Sequence, residues 1–368
     1  MISNNITIFL RRELSQYEKR TPLTPNDVKI LLKYGIPSYV QSSKYRIFND
    51  FEYQNAGAII VQDSWYDDKY KDCIIIGLKE LDNLELLNKH IHVYFSHSYK
   101  NQNGSKYILE TFKASNSILY DFEYFINSFT PFRIEDAQYA TPSPLITAHF
   151  VGVLNEKRCN KRIIGFGIYA GYVGAVLGLK HFYNGNLSRL MEWCSYDSMV
   201  NDVKINDYIR PLIGIIGHKG NCGSGVIEIL QSLNLNYEII DKNMENKGIY
   251  MKKFDILYNC ICLNSSSTEL WFDKSTIFTK KLLIVDISCD YTKPNNPIHI
   301  YNNPTTFENP VYKYNNYVDI IAINNLPSLL PKDSSTYFSK NLLNLLLEYD
   351  KGNSWVNNMK VYYDIIKK

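Results

Sequence analysis

A chain of 368 residues, 45% of them hydrophobic, has material for two cores, and 40 basic against 37 acidic side chains leave a formal charge of only +3. Lys and Arg form no phosphate-tracking run, no apolar stretch approaches a membrane span, and the first nine residues lack a basic region followed by an apolar core, so nucleic acid, membrane and secretion are not indicated. Seven cysteines at irregular spacing, without a zinc-like second pair, fit a reducing, cytoplasmic setting and neither a disulfide framework nor a metal site.

Residues 5–10 form a short β-like run, and Thr24-Pro25 opens a helix that should end at Gly35. Residues 38–41, 50–56 and 58–61 read as strand, helix and strand, the alternation of an α/β domain. The apolar run 73–78 stops at Lys79-Glu80, the run 91–96 stops at His97, and 117–122 delivers Asp121 and Glu123. Polar residues at strand ends are where open α/β sheets place their chemistry. Residues 127–161, punctuated by Pro131, Pro142 and Pro144, show no period and read as a loop insertion. Small and apolar residues then recur at helical spacing over 162–182, with glycines that weigh against one continuous helix.

An apolar strand over 211–216 runs directly into Gly217-His218-Lys219-Gly220-Asn221-Cys222-Gly223, and 226–233 is helical. A loop without side chains lets backbone N–H groups approach a pyrophosphate, and the following helix N-terminus adds partial positive charge. By itself the Gly-x-x-Gly-x-x-Gly spacing equally fits a turn of purely structural use. The next strand, 235–240, ends in Asp241, where an acidic side chain would meet an adenosine ribose and oppose a 2′-phosphate, although Lys242 next to it weakens that exclusion. Strands follow at 256–262, 282–287 and 319–323, then a crossover at 326–331 and a C-terminal helix at 342–349. Cys222 and Cys260 both fall at the cofactor end of this second sheet, either as an oxidisable pair or as two inert buried thiols.

The segments IIIGLKE (74–80), SHSYKNQ (96–102), LYDFE (119–123), FGIYAGYVG (166–174), the loop 217–225, VDISCDYTKPNNP (285–297) and LPSLLP (326–331) together resemble the lysine-forming saccharopine dehydrogenases, relatives in fold of the alanine dehydrogenases. The resemblance implies an α/β fold of two Rossmann-like domains with parallel sheets flanking an inter-domain cleft. Residues 1–165 plus 328–368 would bind substrate and 166–327 would bind NAD. It implies oxidation of saccharopine by NAD and water to L-lysine and 2-oxoglutarate, the last step of lysine biosynthesis by the α-aminoadipate route, in a monomer.

By the same resemblance Lys79 and His97 are the acid–base pair, with Glu80 and Glu123 as acidic neighbours. Arg20, Gln102, Arg162 and Phe166 would meet the substrate, and Gly217, Gly220, Asn221, Cys222, Gly223, Asp241, Cys262, Ile287, Asn324 and Leu326 the cofactor. The chemistry suits those residue types. Hydride loss beside a secondary amine needs that amine neutral, and a lysine can remove its proton near neutral pH only if burial or positive charge lowers its pKa. An imidazole titrates near the working range, and arginines grip carboxylates bidentately.

Taken singly, each residue also fits an ordinary surface ion pair or a structural histidine. Ser15 stands where the family commonly has lysine, Lys161 where it has a second arginine, and Asn324-Asn325 where it has Asp-His. Two alternatives therefore stay open, a dehydrogenase of another amino acid and a catalytically impaired NAD-binding paralogue.

Overall fold

The computed structural model describes residues 6–100, 104–126, 162–185, 187–241, 243–261, 269–293, 295–349 and 352–367. The expected insertion at 127–161, with Lys161, and the residues Gln102, Lys242 and Cys262 lie outside the described residues.

The first half of the chain supplies β1 (Thr7–Leu10), α1 (Pro25–Lys33), β2 (Ser38–Gln41), α2 (Asp50–Asn55), β3 (Ile59–Val61), β4 (Cys73–Ile76), β5 (Ile91–Tyr94), α3 (Ser105–Ala114) and β6 (Ile118–Asp121). The strands pair in parallel in the order β3-β2-β1-β4-β5-β6. Strands such as β4, buried at every residue, are continuous apolar runs because both faces of a parallel sheet are covered. Thr24 caps α1 by accepting from the Asp27 N–H, with Pro25 in the first turn, as its sequence suggests.

The second half supplies α4 (Gly167–Asn184), α5 (Tyr196–Asn201), β7 (Ile213–Ile216), α6 (Asn221–Ser232), β8 (Glu238–Ile240), α7 (Lys247–Met251), β9 (Ile256–Asn259), β10 (Leu282–Asp286), β11 (Tyr312–Lys313) and β12 (Val318–Ile321). Their order is β11-β12-β10-β9-β7-β8, parallel except for β11. The chain leaves β7 toward β8 on one side and returns as β9 on the other. That reversal opens a crevice beyond the carboxyl ends of β7 and β9, the place where such sheets bind ligands.

Helix α4 is continuous over 18 residues despite its glycines. Helix propensity weighed against it, but tertiary contact wins: a Cβ on Gly171 would lie 2.1 Å from the Cys222 carbonyl oxygen of α6, and one on Gly225 would lie 2.3 Å from the Ile168 carbonyl of α4. The two helices cross backbone on backbone. The crossover at 326–331 is a short 3₁₀ turn, Leu326–Leu329, that runs straight into α8 (Pro331–Leu347), and α9 (Asn353–Ile366) follows. α8 begins eleven residues ahead of the helix expected at 342–349, and α3, α5, α7 and α9 are further helices that the sequence pattern does not mark. Both C-terminal helices pack on the first sheet, where Phe338, Leu342, Leu346 and Trp355 join Ile8, Leu10 and Val93 in one core. Among the described residues no helix is long and apolar enough to cross a membrane, and no three His, Cys, Asp or Glu side chains gather as a metal site.

One core residue of β5 makes the fold sensitive to acid. His92 is fully buried, edge-on to Trp65 at 4.7 Å and to Phe112 at 5.7 Å, and neither ring nitrogen has a hydrogen-bond partner among the described residues. Burial first, then the charges of Arg11 and His90, hold its imidazole well below the ordinary value. The unfolded chain takes up a proton near pH 6.5 that the folded chain refuses, so stability is lost as pH falls below about 6.5, by up to about 1.4 kcal/mol per pH unit. His92→Phe is expected to flatten the dependence of denaturation midpoint on pH between 7.5 and 5.5. His90, also held low by burial, remains in that variant as a second such group. A slope equal to the parent's would show that His92 is not the group responsible.

Candidate active site

The residues expected to carry chemistry leave the carboxyl ends of adjacent strands in the first sheet: Lys79 and Glu80 follow β4, His97 follows β5 and Glu123 follows β6. Lys79 is half-buried and Glu80 exposed. Burial first, then the neighbouring Arg20 charge, lowers the pKa of Lys79, while Glu18, Glu80 and Glu13 pull it back up. This is the direction that a lysine base needs.

Arg20 and Glu18 form a buried bidentate pair in which Arg20 Nε donates to Oε1 at 2.7 Å and Nη2 to Oε2 at 2.5 Å. Burial pushes the Glu18 carboxyl up, but Arg20's charge and hydrogen bonds, together with Lys79's charge, outweigh it and hold the group below its usual value. The guanidinium lies 4.2 Å from the centre of the Phe166 ring, which stacks on Phe338 of α8 at 4.5 Å. Arg20 Nη1 has no hydrogen-bond partner among the described residues, so one edge of the guanidinium is left for an incoming carboxylate.

His97 sits in the left-handed region, φ +55°, which a non-glycine residue adopts only when its surroundings hold it there. Asp121, fully buried, does so. Its carboxylate accepts from Ser96 Oγ at 2.6 Å and from the N–H groups of His97 at 3.1 Å and Glu123 at 2.8 Å. Burial pushes that carboxyl up, against the hydrogen bonds from Ser96 and the Glu123 N–H. Asn358 of α9 holds the Asp121 backbone from the far side, accepting from its N–H at 3.2 Å and donating to its carbonyl at 2.8 Å. Glu123 lies between His97 Nδ1, at 3.8 Å, and Arg162 Nη1, at 3.4 Å. Arg162 is exposed and bridges to Ile126, so the two flanks of 127–161 are paired.

At the second sheet Gly217 ends β7 with φ +80°, and a Cβ there would lie 2.5 Å from the Cys260 carbonyl oxygen at the end of β9. Only glycine suits that turn. Gly220 is the N-cap of α6, and no side chain caps the helix, which leaves its N-terminus suited to an anion. Asp241 follows β8, is exposed, and accepts from the Asn243 N–H at 2.9 Å. Ile287 follows β10 but is buried against α4, and the buried Leu326 lies beside the same helix. Asn324 is exposed in the turn after β12. Burial first, then Cys222 and Asp286, raises the Cys260 thiol well above its usual value, and no disulfide joins it to Cys222. The inert-thiol alternative fits that chemistry better.

One contact joins the two halves of the site. Gly167, the residue after Phe166, lies so close to the glycine loop that a Cβ on it would be 3.0 Å from Asn221 Cβ and 3.5 Å from Cys222 Sγ. The ring beneath Arg20 is therefore one residue from the chain that meets the loop. Arg11, Glu13, Glu18 and Phe338 are part of this site without being among the residues expected from the sequence. The first two stand just past the end of β1, where the strand-end rule would have flagged them, whereas nothing in the local pattern points to Phe338.

The family model described as Alanine dehydrogenase/PNT, N-terminal domain, matches residues 9–129, and that described as Alanine dehydrogenase/PNT, C-terminal domain, matches residues 238–366. The saccharopine dehydrogenase [NAD(+), L-lysine-forming] of Schizosaccharomyces pombe is 31% identical over 98% of this chain and 98% of its own length. The enzyme of the same name from Candida glabrata is 33% identical over 92% of this chain and 90% of its own. Among solved structures, an L-alanine dehydrogenase aligns with a TM-score of 0.68 at 13% identity, covering 97% of this chain and 94% of that one, a likeness of fold.

Proposed function

The chain belongs to the lysine-forming saccharopine dehydrogenase family, and from that premise we propose that it oxidises saccharopine with NAD and water to L-lysine and 2-oxoglutarate, and runs the reverse reaction. The observation that carries the reading is a half-buried Lys79 whose pKa is driven down by burial and by Arg20, itself stacked on a ring one residue from the chain that meets the glycine loop. In this reading residues 1–165 with 328–368 take the amino-acid substrate and 166–327 take NAD.

Lys79 removes the proton from the secondary amine, leaving it neutral for hydride loss. His97 activates water toward the resulting imine carbon and returns a proton to the departing lysine amine. Arg20 and Arg162 hold substrate carboxylates, Arg20 by the edge that Glu18 leaves open, with Phe166 as the floor beneath it. Glu80 and Glu123 temper the charge around the pair. The loop from Gly217 to Gly223 and the N-terminus of α6 suit a pyrophosphate, Asp241 suits a ribose diol, and Ile287, Asn324 and Leu326 stand at the same edge of the sheet. Bound NAD would supply the hydride acceptor.

The test is oxidation of NADH followed at 340 nm with L-lysine and 2-oxoglutarate. Turnover that needs both substrates is expected. Turnover with a different oxo acid and amine instead would assign the chain to another amino acid, and NADH binding without turnover on any pair would mark an impaired paralogue. NADPH is expected to be a poor substitute, because Asp241 opposes a 2′-phosphate, and Asp241→Ala should narrow the difference between the two cofactors. Equal efficiency with both cofactors in the parent enzyme would contradict that assignment.

A further inference from the structure

Lys79 sits just past the point where the first sheet stops holding its own strand. β4 ends at Ile76, and its last ladder bonds run to the β5 side, from the Gly77 N–H to Val93 O at 3.1 Å and from the Phe95 N–H to Leu78 O at 3.2 Å. On the other side, side chains that follow β1 take over. The Glu13 carboxylate accepts from the Leu78 N–H through Oε1 at 2.7 Å and from the Lys79 N–H through Oε2 at 2.9 Å. Arg11 Nη2 donates to the Lys79 carbonyl, and Arg11 Nη1 lies 3.6 Å from Glu13 Oε2. The peptide groups on both sides of Lys79 are thus held by one charged pair.

The pair is built into the fold. The Arg11 and Glu13 side chains are only 2% and 6% exposed, and Arg11 N–H itself donates to Ile76 O at 3.0 Å. Gly77 makes room for the guanidinium, since a Cβ there would lie 2.2 Å from Arg11 Nε. A buried ion pair is a poor source of net stability, because desolvation offsets the attraction, so what this pair holds in place matters more than its own energy. Bidentate contacts fix direction as well as distance.

We infer that Arg11 and Glu13 are positioning residues for Lys79, setting where its ammonium meets the substrate amine. The inference rests on the acid–base reading of Lys79 proposed above. A reacting group displaced by about 1 Å can lose about a hundredfold in rate, so a loosened loop should be felt in turnover before it is felt in binding.

Glu13→Gln keeps an acceptor for one N–H, loses the other contact and removes a negative charge beside Lys79. It is expected to lower kcat at least about tenfold with little change in NADH affinity, and to move the acid limb of kcat/KM for saccharopine oxidation down by on the order of half a pH unit or more. Glu13→Asp keeps the charge and shortens the reach. It should lose turnover without moving that limb, a split that a merely structural role would not produce. Placed on Lys79→Met, either substitution should cost nothing further.

Two failures are distinguishable. If Lys79→Met turns over normally, the acid–base reading falls. If Lys79→Met is slow while both Glu13 variants match the parent in kcat and pH profile, or if their losses add in full to that of Lys79→Met, only the positioning role is overturned. Should Glu13→Gln fail to fold, the Glu13→Asp comparison decides alone.

Discussion

Lys79→Met is expected to lower kcat by about 10² to 10⁴ while leaving the dissociation constant for NADH nearly unchanged, the range that general acid–base groups typically contribute. Methionine matches the lysine stem in length and suits a half-buried place, so the change removes the amine and little else. Cofactor affinity is spared because Lys79 hangs from the first sheet and the glycine loop from the second. The pH profile gives a second reading. Burial and Arg20 depress the Lys79 pKa, so the neutral base persists below the ordinary lysine range, and the rate of saccharopine oxidation should fall as pH drops through the depressed value. The variant should lack that limb. Turnover within about threefold of the parent would remove Lys79 from the role.

Gly171→Ala should have its largest effect on the cofactor. The Cβ it adds would stand 2.1 Å from the Cys222 carbonyl oxygen and 3.0 Å from Gly225 Cα. Both obstacles are backbone, and neither can swing aside as a flexible side chain would. Ordinary contact between such atoms needs about 3.5 Å, so α6 must retreat by about 1 Å or more, taking with it the N–H groups proposed to meet the pyrophosphate. Overpacking of this kind costs about 1 to 3 kcal/mol in stability, and a displaced helix N-terminus should weaken NADH binding at least about tenfold. Fluorescence titration with NADH measures the second effect and thermal denaturation the first. An unchanged dissociation constant would mean that the α4–α6 crossing does not seat the loop.

Much of this architecture was legible because parallel strands announce themselves. β1, β4, β5, β6, β7, β9, β10 and β12 are mostly buried, mostly apolar runs, and their ends mark Lys79, His97, Glu123 and Gly217 in the sequence. Helices were harder where their buried faces are polar. α8 hides Ser334, Ser335 and Ser339, all fully buried, and so breaks the apolar period over its first three turns. Ser335 Oγ accepts from the Thr21 N–H at 3.0 Å and Ser339 Oγ from the Thr24 N–H at 2.8 Å. α9 does the same with the fully buried Asn358. These groups satisfy backbone that lies hundreds of residues away, and no local window contains both partners. The Arg20–Glu18 pair stayed hidden for a different reason. Residues two apart lie on one side of an extended segment, but that spacing alone does not say that the two side chains are buried and paired.

The serine seam and Asn358 also fix an order of assembly. The hydrogen bonds that secure the Arg20 loop to α8 span 314 and 315 residues, and those from α9 to Asp121 span 237. A ribosome makes the first sheet's strands early, yet it cannot finish that sheet's surroundings until the last helix has emerged. The second sheet, whose strands all lie between Ile213 and Ile321, has its partners close at hand throughout. The half of the protein that is begun first is therefore completed last, and in the interval its unfinished core depends on the rest of translation, or on chaperones, to keep it from other chains.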